Sequence, residues 1–398
     1  MRWISGGVTA ARGFTAAGLS AGIKRSRKPD VALVAAGQRA SAATVFTKNR
    51  VQAAPVLLSK VRLRGGVARA ILINSGCANC LTGEAGLRDA VVLTRAVAAQ
   101  LGVPEREVLV ASTGLIGTRL PVPKIRRAIP TLIAQLHRAH HAEAAGAILT
   151  TDLHAKEAAV ESAIGGRTVR VGGMAKGAGM IAPSMATMLC VITTDAAVPP
   201  GLLRTLLRRA VTRTFNRISV DGDMSTNDTV FALAGGYSGV PIRPGASAAR
   251  FARLLETVMG RLSRLLVKDG EGATRLMEVR VTGGRTDAEA QACARQVAGS
   301  PLVKTMLAGG DPNVGRLAAA AGASPARFNP DRLRVWVGPR LVVARGTMLR
   351  LDPRAGRALL NRPEVAVRLD LGAGRGEGRM VTCDLTEDYV RINASYST

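Results

Sequence analysis

Apolar and polar residues follow two rhythms along the chain, and the switches between them outline the fold. Short apolar runs recur at "DVALVAA", "ARAILINSG", "EVLVASTG", "TVRVGG", "ATMLCVITTDA" and "DTVFALAGGYSG". Runs of that length, bounded by Gly, Asp or Ser, predict buried strands. Three segments between them carry the helical period. "TGEAGLRDAVVLTRAVAAQLGVP" starts at a candidate Thr82 cap, repeats Leu87, Val91, Thr94, Ala98 and Leu101, and stops at Gly102 with Pro104 beyond. "GLLRTLLRRAVTRTF" collects Leu203, Leu206, Leu207, Ala210 and Val211 on one face and Arg on the other, and "AARFARLLETVMGRLSRLLVKDGEG" does the same before a Gly-rich turn. One-sided helices need an apolar surface to cover, so the alternation predicts an α/β architecture.

After about Glu278 the texture changes to "MEVRVTGG", "LRVWVGPRLVVARGT" and "EVAVRLDLGAGRGEGRMVTCDL", where Val365, Val367, Leu369 and Leu371 alternate with polar residues. This predicts a smaller, strand-rich C-terminal region with "VGPRL" and "GAGRGEG" as hairpin turns. The latter lacks G-x-G-x-x-G spacing and a following helix, which argues against a dinucleotide site. The 398 residues suffice for a large core, and no apolar run reaches the roughly 18 residues of a membrane span. The N-terminus has no compact apolar stretch with a small-residue cleavage site, and five cysteines are too few and odd in number for a disulfide scaffold. A cytoplasmic location with reduced thiols is expected.

Charge changes the picture less than its size suggests. Lys and Arg number 55 against 28 acidic residues, a formal charge of +27, which raises nucleic acid as a partner. Nine of the basic residues are Lys, the rest are Arg, and they are scattered through every segment; "IKRSRK" and "LLRTLLRRAVTRTFNR" are the densest patches. Two Trp, three Tyr and six Phe leave little for base stacking, so a specific nucleic-acid partner is not expected.

The candidate chemistry centres on "GGMAKGAGMIAPSMATMLCVITTDA", Gly172 to Ala196. A phosphate loop would place Lys after the second glycine and a helix beyond it; here Lys176 precedes Gly177 and the downstream run reads as a strand. Glycines of this kind let backbone pass close to a substrate while Lys176 reaches inward as a cation. All four histidines, His137, His140, His141 and His154, fall in "HRAHHAEAAGAILTTDLH", and no G-x-S-x-G accompanies them. His137 and His141 stand one helical turn apart and could clip a metal, and Cys77 with Cys80 form a C-x-x-C, but 56 residues separate Cys80 from His137, far outside zinc-finger spacing, so no metal is expected. Without a histidine base, a hydroxyl can be activated by its own freed α-amine, which titrates near neutrality. Thr187, after the small Ala186 at the head of the strand, suits that role once the Ala186–Thr187 bond is cut; a strand-head Thr with an ordinary satisfied hydroxyl is the alternative.

These residues carry a resemblance. The stretch around Thr187 resembles the signature of the ornithine acetyltransferase family, the bifunctional glutamate N-acetyltransferases of arginine biosynthesis, which cut themselves before such a Thr. The likeness extends through "GFTAAGLSAGIK", "ILINSG", "ASTGLIG", "TTDLHAKEA", "SVDGDMSTNDTVFALA", "VKDGEGATR", "LVKTMLAGGDPNVGR" and "YVRINASYST". It implies a layered α/β sandwich of the self-processing Thr-nucleophile type. Residues 1–186 would form the α fragment, 187–278 the catalytic part of the β fragment, and 279–398 a C-terminal α+β region whose tail returns to the active site. Carried over by position, Thr187 is similar to the nucleophile, and Thr113 and Gly114 to the oxyanion hole. Thr150, Lys176, Thr187, Glu271, Asn393 and Thr398 are similar to the substrate-binding set, and an α2β2 assembly is implied. No metal or organic cofactor is implied, with acetyl-CoA left open as a second acetyl donor. Cys77, Cys80, Ser184 and Val314 depart from the family pattern, which has Asn, Ala, Asn and Trp there. A Thr-nucleophile amidase or aminopeptidase, a specialised-pathway acyltransferase and a basic nucleic-acid-binding protein are the competing readings.

Overall fold

The apolar runs become strands and the one-sided segments become helices that cover them. The computed structural model describes residues 1–182 and 188–395. The described residues form strands β1 (Arg2–Trp3), β2 (Phe14–Leu19), β3 (Val31–Phe46), β4 (Val67–Cys77), β5 (Val108–Leu115), β6 (Lys156–Ile164), β7 (Arg167–Lys176), β8 (Leu189–Thr194), β9 (Ile218–Ser219), β10 (Thr229–Ala234), β11 (Leu276–Gly284), β12 (Arg334–Val337), β13 (Arg340–Ala344), β14 (Thr347–Met348), β15 (Glu364–Asp370) and β16 (Gly376–Cys383). The helices are α1 (Ala54–Arg62), α2 (Gly83–Leu101), α3 (Val122–Ala134), α4 (His141–Ala147), α5 (Pro200–Arg213), α6 (Ala246–Lys268), α7 (Asp287–Gly299), α8 (Pro301–Gly309), α9 (Gly315–Gly322), α10 (Pro353–Leu360) and α11 (Glu387–Ser395).

The larger sheet has the order β1-β6-β7-β8-β10-β3-β4-β5, with β2 added on β3. It is mixed: β8 runs parallel to β10 and β4 parallel to β5, while β7–β8 and β10–β3 are antiparallel. Helices α5 and α6 bury Leu203, Leu207, Val211, Leu255, Val258 and Leu262 against the β6–β10 half. Helices α2 and α3 bury Leu93, Val97, Ile125 and Ile129 on the side of β3, β4 and β5. The α5 face is the one the Leu spacing predicts. In α2 the buried face is Gly86, Ala90, Leu93, Thr94, Val97 and Ala98: Thr94 and Ala98 of the predicted repeat lie on it, Val91 and Leu101 pack at its edge, and Leu87 is exposed, because small residues let the helix sit close. Thr82 does not cap α2 with its side chain; its hydroxyl donates to Asn79 Oδ1 at 2.8 Å.

The second sheet has the order β14-β13-β12-β15-β11-β16-β9. One face packs Met277, Val279, Val281, Val367 and Leu369 against α7, α8 and α9; Val314 is buried in this core. "VGPRL" is the β12–β13 hairpin turn. "GAGRGEG" is not a hairpin turn, because β15 and β16 flank β11 on opposite sides and the connection crosses the end of β11. The crossing explains its glycines: a Cβ on Gly374 would lie 2.5 Å from the Gly284 carbonyl oxygen. Further along β16, a Cβ on Gly378 would fall 2.4 Å from the backbone of Ala290 in α7. Gly378→Ala is therefore expected to cost about 2 to 3 kcal/mol by forcing α7 off the sheet, read as a shift in the urea midpoint.

Candidate active site

The strand ends of the larger sheet deliver the polar groups. β4 and β5 run parallel to a bulge at Cys77, where Thr113 pairs beside Gly114. Gly114 has φ +128, and a Cβ there would sit 2.3 Å from the Gly76 carbonyl carbon, so the neighbouring strand leaves room for glycine alone. Asn227, just ahead of β10, donates to the Ala78 carbonyl at 2.7 Å and the Ser112 carbonyl at 2.8 Å, fixing this turn.

Lys176 ends β7 and is buried. Gly172 and Gly173 lie within that strand, not in a slack loop; a Cβ on Gly172 would strike the Gly7 carbonyl oxygen at 2.0 Å. The Lys176 ammonium donates to Thr150 Oγ1 at 2.7 Å and Thr113 Oγ1 at 3.2 Å, and lies 3.8 Å from Asp152. Because Thr113 Oγ1 accepts from Lys176, its own hydrogen is free to donate. Behind Lys176 stands a buried charge chain. Lys156, 1 % exposed, donates to Asp152 Oδ1 at 2.6 Å and to Asp269 Oδ2 at 2.5 Å. Asp152 also accepts from the amides of Gly177 at 2.6 Å and Thr150 at 3.0 Å. Burial pushes the Asp152 carboxyl up, but Lys176, Lys156 and the Gly177 amide outweigh it and bring it down to about 2. Burial lowers the Lys176 pKa, with Asp152 acting in the opposite direction.

A carboxylate and an amide close the opposite side. Glu271 lies against Gly179, where a Cβ would meet its Oε2 at 2.3 Å, and Asn393 on α11 donates to that oxygen at 2.8 Å. Helix α11 buries none of its side chains; Tyr389 reaches Asp221 and Thr386 the Gly272 carbonyl. Asp221 also accepts from the Met180 and Ile181 amides, tying the segment ahead of β8 to α11.

The result is one cavity of about 140 Å³. Thr113, Gly114, Thr150, Lys176, Glu271 and Asn393, named from the sequence, all line it. Ala186, Thr187, Thr398 and Ser184 lie outside the described residues. Asp152, Lys156, Asp269 and Asn227 were not singled out from sequence, although "TTDLHAKEA", "VKDG" and "STND" hold them. Cys77 and Cys80 are free and buried. His137 precedes α4 and His141 binds Glu157 at 2.9 Å, so the two do not share a helical face.

Hydroxyls, one buried cation and one carboxylate around a small cavity suit an enzyme that acts on a small charged molecule. Residues 15–398 match the model of the ArgJ family. An arginine biosynthesis bifunctional protein ArgJ from Synechococcus sp. is 50% identical over 407 residues, covering 99% of this chain and 98% of that protein. Its counterpart from Symbiobacterium thermophilum is 48% identical, covering 100% of both. A crystallised ornithine acetyltransferase from Mycobacterium tuberculosis, complexed with ornithine, is 42% identical over 47% of this chain and 99% of that one, with a TM-score of 0.43. The chain belongs to the ArgJ family. It is an acyltransferase of arginine biosynthesis.

Proposed function

We propose that the chain moves the acetyl group of N2-acetylornithine to L-glutamate through an acetyl-Thr187 intermediate, after cutting itself at Ala186–Thr187. The observation that carries this reading is the convergence of Thr113, Gly114, Thr150, Lys176, Glu271 and Asn393 on one cavity. Thr187 Oγ adds to the acetyl carbonyl, and the alkoxide is held by the Thr113 hydroxyl and the Gly114 amide. Collapse expels ornithine and leaves the ester, from which glutamate takes the acetyl group by the reverse steps. The freed α-amine of Thr187 carries the proton each way. Both substrates present a carboxylate and charged nitrogen groups, which Lys176 and Glu271 with Asn393 complement. Thr398 joins this binding set. Ester formation and aminolysis balance without a metal or organic cofactor, and acetyl-CoA fits the same two-step scheme as a donor.

The two fragments stay together, pair as α2β2 and act in the cytoplasm. Among the described residues no helix is long and apolar enough to cross a membrane. Mass measurement of the purified protein tests the reading: fragments 1–186 and 187–398 are expected, and an intact chain that still transfers acetyl groups would overturn it. Gly114→Ala is expected to lower kcat by about 10²- to 10³-fold, because its Cβ displaces the turn that aims the oxyanion donors. Single-turnover acetylation of Thr187 from acetylornithine reads that loss.

A further inference from the structure

The basic run "LLRTLLRRAVTRTFNR" takes no part in the cavity, since none of its residues lines it. The fold places most of it on α5, which packs beside α6. Both helices bury their apolar sides in one core against the larger sheet, so their polar sides face outward together. The two helices carry nine basic residues and a single acid, Glu256. Glu256 sits in the seam between them, 3.2 Å from Arg213 and 3.9 Å from Arg209. Arg264, toward the end of α6, pairs with Glu278 and Glu364. Arg204, Arg208, Arg250, Arg253 and Arg261 are exposed, and among the described residues their side chains have neither an ion pair nor a hydrogen bond. General basicity does not account for this face. Helix α2 balances Arg88 and Arg95 with Glu84 and Asp89, and α7 sets Arg295 against Asp287 and Glu289. Arg204 and Arg208 also stand one turn apart, where like charges repel and weaken a helix until a counter-charge arrives.

We propose that the outer face of α5 and α6 binds double-stranded nucleic acid through its phosphates, without reading base sequence. Arg keeps its charge at any physiological pH, and its planar fork meets two phosphate oxygens at once. A duplex presents one phosphate per about 1.7 Å of axis, so the roughly 20 Å length of α5 faces about a dozen of them. Among the described residues none of the exposed large apolar or aromatic side chains lies on α5 or α6. Stacking on unpaired bases and insertion into a lipid surface both need such groups, so the face suits a phosphate-lined duplex better than a single strand or a membrane.

Fluorescence anisotropy with a labelled DNA duplex of about 20 base pairs tests this, read across about 50 to 300 mM salt. The wild type is expected to bind with a Kd below about 1 μM at the low end, and log affinity to fall with log salt at a slope of about −4 or steeper. A variant combining Arg204→Gln, Arg208→Gln, Arg250→Gln and Arg253→Gln is expected to bind at least about 30-fold more weakly, with the slope flattened by about 3. A control combining Arg126→Gln, Arg127→Gln, Arg354→Gln and Arg357→Gln removes the same charge from exposed positions on α3 and α10. It is expected to bind within about threefold of the wild type. Both variants should keep the wild-type thermal transition and acetyl transfer, because none of the replaced residues lines the cavity. The proposal is overturned if the two variants weaken alike, as net charge alone would give, or if the wild-type Kd exceeds about 10 μM at the lowest salt. It is also overturned if a single strand of the same length binds more tightly than the duplex, or if polyglutamate of matched charge displaces the duplex, which would assign the face to an acidic protein. Should the fourfold variant lose its thermal transition, the pairs Arg204→Gln with Arg208→Gln and Arg250→Gln with Arg253→Gln decide, each expected to weaken binding at least about fivefold.

Discussion

Thr187→Ala is expected to remain a single 398-residue chain and to lose acetyl transfer by at least about 10⁴-fold, measured as acetylglutamate formed from acetylornithine and glutamate. On the proposed mechanism one hydroxyl would both carry the acetyl group and attack Ala186, so its removal would cause both losses. The described contacts are expected to stand: Met188 bonds Asp228, and Lys176 bonds Thr113 and Thr150. Ornithine binding should therefore persist in the uncut variant within about tenfold, which calorimetry can read and which separates lost chemistry from lost structure. A Thr187→Ala variant that still transfers acetyl groups would remove Thr187 from the mechanism.

Asp152→Asn is expected to cost about 3 to 5 kcal/mol in urea unfolding, because it leaves two buried ammonium groups with one fewer carboxylate. Lys156 keeps Asp269, but Lys176 loses its near counter-charge and is drawn away from Thr113 and Thr150. The pH dependence has a defined sign. The folded-state pKa of Asp152, about 2, is below its ordinary value of 3.8, so its contribution is complete above roughly pH 5 and is lost as pH falls toward 2. The wild type should thus lose stability over that range more steeply than Asp152→Asn. Equal slopes between pH 5 and pH 2 would count against the charge chain as a stabilising element.

The sequence made the strand–helix alternation legible, and the motifs pointed to residues that the fold gathers. It hid the charge chain. Asp152 and Lys156 stand in "TTDLHAKEA", a polar run that looks like a solvated loop until β6 carries Lys156 inward beneath α6. Strand β6 itself, "KEAAVESAI", gives a weak period because its buried positions include the adjacent Ala158 and Ala159. Spacing succeeded in α5, where Leu supplies the buried face, and only in part in α2, where Thr94 and Ala98 are buried as predicted but Gly86 and Ala90 take the place of Leu87. "GAGRGEG" misled for a topological reason: a turn and a crossover ask for the same glycines, and only strand pairing tells them apart.

The strand order of the larger sheet bears on what a cut before Thr187 would do to folding itself. β8 and β10 come after that point in the chain, yet they sit between β7 on one side and β3 on the other, both of which come before it. Neither fragment could complete the sheet alone, since one would lack its middle and the other its flanks. The uncut chain finds this arrangement as a unimolecular event, whereas severed pieces would have to meet and interleave. Processing would thus convert a refoldable polypeptide into one whose native state persists by slow unfolding, with recovery after denaturation dependent on protein concentration.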